Sequence, residues 1–163
     1  VGLLSEKNIS SVTYTKKHVE IVTNGLLSIN EVLNSTNVSE KRSILFCLDK
    51  YLDPYYGYNL SYFDDIILLL QKHLCMKEEK EVKEDILQLL TDYSKDSLDY
   101  LAEKIDEIEP SLLANSLYAL ACTFNEKYVP IFIRYKDHEN QIVQNTAKEA
   151  LAELLKPKLN TNE

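Results

Sequence analysis

The residues of this sequence best able to hold a metal or move a proton are His18, His73 and His138, Cys47, Cys75 and Cys122, and the carboxylates Glu103, Asp106 and Glu107. Their spacing works against most of that chemistry. His73 and Cys75 form the nearest His/Cys pair, yet two positions along a helix turn their side chains ~200° apart. Glu103, Asp106 and Glu107 could gather a cation if a neighbouring unit approached, although carboxylates at helical spacing normally form a solvated face. The three thiols are odd in number, far apart and set in apolar helical surroundings, which fits reduced, buried cysteines better than a disulfide framework. The histidines read as partly exposed. No Ser-His-Asp or Cys-His signature, Gly-rich phosphate loop or zinc-type spacing occurs in the sequence. The sequence thus names no catalytic residue, no metal ligand and no cofactor.

Composition narrows the partner instead. At 163 residues, with 45% apolar and 27% charged side chains, the chain is long enough for one domain with a substantial core. Only three glycines argue against a turn-rich β fold. The net charge of -8 is concentrated: Glu78 to Glu109 holds twelve acidic and four basic residues, a balance equal to that of the whole chain. A polyanion is repelled from such a surface, so no nucleic acid is expected. No apolar run is long enough to cross a bilayer and no charged-then-apolar leader opens the chain, which predicts a cytoplasmic protein with no membrane partner. A first residue other than Met leaves room for a removed leader or upstream domain.

Helices must position whatever the surface does. Within Asn125 to Leu155, Val143, Ala147, Ala150, Leu151 and Leu154 fall on one stripe of a 3.6-residue helix, with Asn145, Glu149 and Ala152 opposite. Alanines in the buried stripe let a neighbouring helix come close, and one such helix cannot bury that face alone. Tyr128 to Tyr135 supply a shorter apolar helix, and Lys136 to Asn140 a polar turn between the two. The pattern repeats. Stepping back 31 residues places the stripe on Leu112, Ser116, Ala119, Leu120 and Thr123, and a further 30 on Val82, Ile86, Leu89, Leu90 and Tyr93. The shorter helix recurs as well, with Val129 and Phe132 landing on Leu98 and Leu101.

Earlier in the chain, Lys16 to Asn34 has helical spacing with a break or kink marked at Asn24-Gly25. Asn37 or Ser39 caps the next helix, which buries Ile44, Cys47 and Leu48 and ends at Asp53-Pro54. A loop follows, and five of the eleven tyrosines lie between Tyr51 and Tyr62. Helix resumes over residues 61–77 with a wide apolar arc. The expected organisation is a single domain of four helical hairpins, at residues 16–52, 60–94, 96–124 and 126–156. An irregular lead-in covers 1–15 and a disordered tail 157–163; SSVTYT in the lead-in reads equally as a strand.

In these residues the chain resembles the HEAT-repeat family and its armadillo-like relatives. YVPIFIRYKDHENQIVQNTAKEAL is similar to the family pattern of an apolar helix with Pro, a turn with Asp, then Val-Arg and spaced Ala and Ala-Leu. Pro130, Asp137, Val143, Ala147, Ala150 and Leu151 stand at those places. The Arg that usually follows Val, and often builds a polar ladder between repeats, is Gln144, Leu113 and Lys83 here. The resemblance is closest over Asn125 to Leu155 and weakest before Lys80. It implies an all-α, right-handed α-α superhelix whose second helices line a concave side.

On that side the positions opposite the stripe form rows: Glu84, Ala114 and Asn145, then Gln88, Tyr118 and Glu149. Tyr118 among small neighbours suits a contact centre. Tyr55, Tyr56 and Tyr58 are a second candidate, since consecutive tyrosines cannot all face inward. The acidic segment can steer a basic protein. The sequence therefore predicts a non-catalytic protein-binding module, and more narrowly a bacterial immunity protein that neutralises a basic toxin domain. The alternative is a HEAT-like enzyme or cofactor-handling, lyase-type protein using Cys122 or His138. A HEAT-like DNA glycosylase would need a basic, aromatic concave face, where this chain is acidic.

Overall fold

Gly25 decides how the first part of the chain packs. Its φ of 119° and ψ of -170° lie where only glycine sits without strain, and of the break or kink marked at Asn24-Gly25 in residues 16–34 it is the break that forms. In the computed structural model, which describes residues 12–157, the two pieces are α1 (Lys16–Asn24) and α2 (Leu26–Leu33). They are followed by α3 (Val38–Leu52), α4 (Phe63–Leu74), α5 (Lys80–Tyr93), α6 (Asp99–Glu103), α7 (Pro110–Ala121), α8 (Val129–Tyr135) and α9 (Gln141–Leu154). Three short 3₁₀ turns complete the order, at Pro54–Tyr56, Ile105–Glu107 and Glu126–Tyr128. No strand occurs among the described residues, and residues 12–15 of the lead-in are neither helix nor strand. Residues 1–11 and 158–163, with the rest of the lead-in and all but the first residue of the tail, lie outside the described residues. No helix among those described is long and apolar enough to cross a membrane.

The starts of these helices are written in side chains that replace missing backbone partners. Asn37 accepts from the Glu40 N–H at the start of α3, and Asn140 accepts from Ile142 and Val143 at the start of α9. Pro110 opens α7, where its lack of an N–H costs nothing. The region expected as helix over 98–105 is tighter: α6 is five residues long and passes into the 3₁₀ turn at Ile105.

Packing sorts the helices into two sets. α1, α3, α5, α7 and α9 touch in that order, each against the next. On the other side α2 touches α4 and α4 touches α6, while α8 packs on α9. The break at Gly25 is what places α1 in the first set and α2 in the second. Between the sets lies one core that includes Val22, Ile44, Leu48, Ile66, Leu70, Ile86, Leu90, Leu101, Leu120 and Phe132. Each such side chain contributes about 1.5–3 kcal/mol by leaving water. The small residues of the stripe are inside as expected: Ser116, Ala119 and Ala147 are fully buried and Ala150 nearly so, while Leu151 and Leu154 are half-buried.

Polar contacts join successive units at the helix N-termini. His18 of α1 meets Glu40 at 2.8 Å, Lys41 of α3 meets Glu78 at 2.7 Å, and Lys83 of α5 pairs with Glu109. Lys83 occupies the position that follows Val in the repeat, so lysine builds here the ladder expected to lack its arginine. Both lysines are buried, and the carboxylates sit where a helix N-terminus favours negative charge. The ladder ends at α7, where the equivalent residue is the buried Leu113.

Candidate functional site

Every residue singled out for contact is exposed. On α5, Glu84 lies 3.8 Å from Lys80, and the Gln88 amide donates to Asp92 at 3.0 Å. On α9, Asn145 accepts from Gln141 at 2.7 Å and Glu149 is open to solvent. Tyr118, on α7 between them, is 56% exposed, too open for a ring packed into the next unit. Its hydroxyl is raised above the ordinary phenol range by its bond to Cys122, with the Asp92 charge adding to the shift.

The tyrosine loop is a separate feature at the end of α3. Asp53 caps its 3₁₀ turn by accepting from the Tyr55 N–H, and Gly57 closes it in the left-handed region at φ 67°. Tyr55 is 87% exposed, and Tyr56 and Tyr58 are also exposed. Tyr58 stacks on Tyr51 at 4.2 Å, Tyr55 meets Tyr56 edge-on at 5.2 Å, and the Lys50 ammonium lies 5.4 Å from the centre of the Tyr56 ring. Lys50 is half-exposed, and its ammonium is raised by the phenols around it, Tyr14 first and then Tyr58. Tyr14 also packs on Phe46 with ring centroids 5.6 Å apart, so the loop continues into the exposed side of α3.

Sequence reasoning missed a hollow of about 200 Å³ between α3 and α5, floored by Leu45, Phe46 and Leu89 and bordered by Val12 of the lead-in. The signal was present. Phe46 lies off the buried stripe of α3, and a large apolar residue there has no reason to be inward. It is 48% exposed, with Arg42 and Asp49 on the same helix at the hollow's edge.

The groups that could do chemistry are placed otherwise than expected. His18 and His73 are buried, because each joins two helices: the Nδ1 of His18 accepts from the Thr15 N–H while its Nε2 faces Glu40, and His73 lies 3.1 Å from Asn30 of α2. Only His138 of the three is half-exposed. Burial holds His73 below the ordinary imidazole range. Of the cysteines expected to be buried, only Cys47 is, and burial pushes its thiol up to about 11. Cys75 and Cys122 are half-buried; burial raises both thiols, and the Asp92 charge adds at Cys122. A thiol so placed makes a poor thiolate nucleophile. Glu103, Asp106 and Glu107 do not converge: Asp106 accepts from Arg134 and Tyr135 of α8, Glu107 pairs with Lys104 at 3.5 Å, and Glu103 is exposed. No cluster of three metal-ligating side chains forms among the described residues.

No family model matches this chain, and no curated protein or solved structure matches it either.

Proposed function

We propose that the protein is a HEAT-like, right-handed α-α superhelix of four hairpins, led by α1 as a half-unit, that acts as a non-catalytic protein-binding module. Its partner is a basic protein held on the face formed by α3, α5, α7 and α9, the concave side of such a superhelix. The observation that carries this reading is the pair of open aromatics, Phe46 and Tyr118, set on one face among the carboxylates Asp49, Glu84, Asp92 and Glu149. Aromatic anchors surrounded by one sign of charge give a partner both contact area and steering. The narrower reading is an immunity protein neutralising a basic toxin domain. It rests on the small, acidic character of the chain together with that face. A lyase-type enzyme built on Cys122 gains nothing from a thiol that burial raises and that the Tyr118 hydroxyl only partly lowers.

Pull-down from the native host tests the reading. A basic protein is recovered by the wild-type chain, its affinity falls with rising salt, and Tyr118→Ala weakens it by about tenfold or more, as for a central aromatic anchor. A large secreted toxin gene beside this one would support the narrower form. Recovery of no protein, together with turnover of a small molecule lost on Cys122→Ser, would overturn the proposal.

A further inference from the structure

The hollow between α3 and α5 has two unlike ends. At one, Arg42 holds Asp85 through two bonds, at 2.8 and 3.3 Å, so those charges cancel. At the other stand Asp49 and Asp92, whose partners are the Tyr93 hydroxyl at 2.6 Å and the Gln88 amide at 3.0 Å. Both donors are neutral. Neither carboxylate meets a cation among the described residues, and the Tyr93 hydroxyl is raised first by burial, then by its bond to Asp49 and by the charges of Asp49, Asp53 and Asp92 around it.

Their position on the helices sharpens the point. Arg42 meets Asp85 and Asp49 meets Tyr93, so α3 and α5 run parallel and their C-terminal ends lie together. Asp49 and Asp92 occupy the last turns of those helices, where the backbone carbonyls already present negative charge and an acid is disfavoured. The fold thus concentrates negative potential at one end of an apolar hollow. A volume of about 200 Å³ is below the ~300–1,000 Å³ of a small-molecule cleft and suits one long side chain.

We propose that this hollow receives a single arginine or lysine side chain of the protein partner, its methylene stem on Leu45, Phe46 and Leu89 and its cationic head between Asp49 and Asp92. The orientation follows from the two ends, because the neutralised Arg42–Asp85 pair offers a cation nothing at the other. Long basic side chains combine such an apolar stem with a charged head. The assignment rests on the protein-binding reading and adds to it the anchoring residue type.

The test uses the full chain, 15N-labelled, titrated with acetyl-Gly-Arg-Gly-amide and with its citrulline counterpart, which keeps the shape and loses the charge. The arginine peptide is expected to bind saturably and shift the amides of Phe46, Gln88, Leu89 and Asp92. Citrulline, or the Asp49→Asn/Asp92→Asn protein, should weaken binding by about tenfold or more. Both asparagines retain an oxygen for Tyr93 and Gln88, so the variant's fold is checked by its unchanged thermal midpoint. Equal binding of citrulline, or shifts centred on the tyrosine loop or spread over Glu78 to Glu109, would overturn the assignment. A partner retained equally by the wild-type and double-variant chains would overturn it too, while leaving the protein-binding reading in place. Arginine binding in the hollow with no protein partner recovered would support it and count against that reading.

Discussion

His73 illustrates what a single residue contributes beyond its type. It is 4% exposed and bonded to Asn30, and burial keeps its imidazole neutral at pH values where an exposed histidine takes up a proton. Glu78 and Lys41, which face it, act in opposite directions. The unfolded chain therefore binds more protons than the folded one, and stability contributed by His73 is lost as pH falls below about 6.5. We expect the thermal midpoint to drop between pH 7.5 and 5.5, and the drop to be smaller in His73→Gln, measured by calorimetry at both pH values. An equal or larger drop in the variant would exclude His73 as the source. Sequence reasoning placed His73 on a helix and removed it from any metal pair with Cys75, but read it as partly exposed. Its burial depends on Asn30, 43 residues away, and no local pattern encodes that contact. The same holds for Asp49 and Asp92, which look like ordinary solvated acids until two parallel helices bring their ends together.

At the scale of elements, the local signals were strong. Asn37, Pro110 and Asn140 stand at helix starts for reasons that act within one turn, and the buried stripe of each long helix follows from its period. Asn140 accepts from two backbone N–H groups, so Asn140→Ala should lower the stability of the domain by about 1 kcal/mol, read from the urea midpoint. Gln141→Ala, beside it and exposed, should change little. What local signals could not decide was the consequence of Gly25. A glycine in a helical pattern marks a break or a kink equally well, and only the packing of α1 on α3 and of α2 on α4 distinguishes them. Phe46 was hidden for a related reason. The stripe of α3 runs through Ile44, Cys47 and Leu48, while Phe46, set among them in the sequence, faces outward.

For the whole molecule, the repeat of about 30 residues made the all-helical, side-by-side arrangement legible, because no unit could bury its stripe alone. The exposed rows on α5, α7 and α9 followed from the same offsets. The interactions that fasten neighbouring units were not legible, since they depend on which side chains happen to face each other across a junction. At the first junction Lys41 reaches Glu78 on one side and His73 reaches Asn30 on the other. At the second, Lys83 reaches Glu109 and the Gln71 amide oxygen accepts from the Leu101 N–H. The third differs. Its polar bonds, Asn125 to the Asp96 carbonyl, Tyr128 to Asp99, and Arg134 and Tyr135 to Asp106, all lie on the side of α6 and α8.

With Leu113 where a lysine stands in the two preceding units, α7 and α9 meet through side chains such as Ser116, Ala119, Val143 and Ala147, and apolar contacts resist sliding less than directional bonds do. The third junction is thus bolted by polar bonds along one edge only. Opening of the stack is therefore expected first at α9, while α3 and α5 hold their spacing. Hydrogen exchange should register this as faster opening of the α9 amides than of those in α5, and Leu113→Lys should slow it by pairing with Glu139 ahead of α9, as Lys41 pairs with Glu78 ahead of α5, with the Asn140 cap left intact.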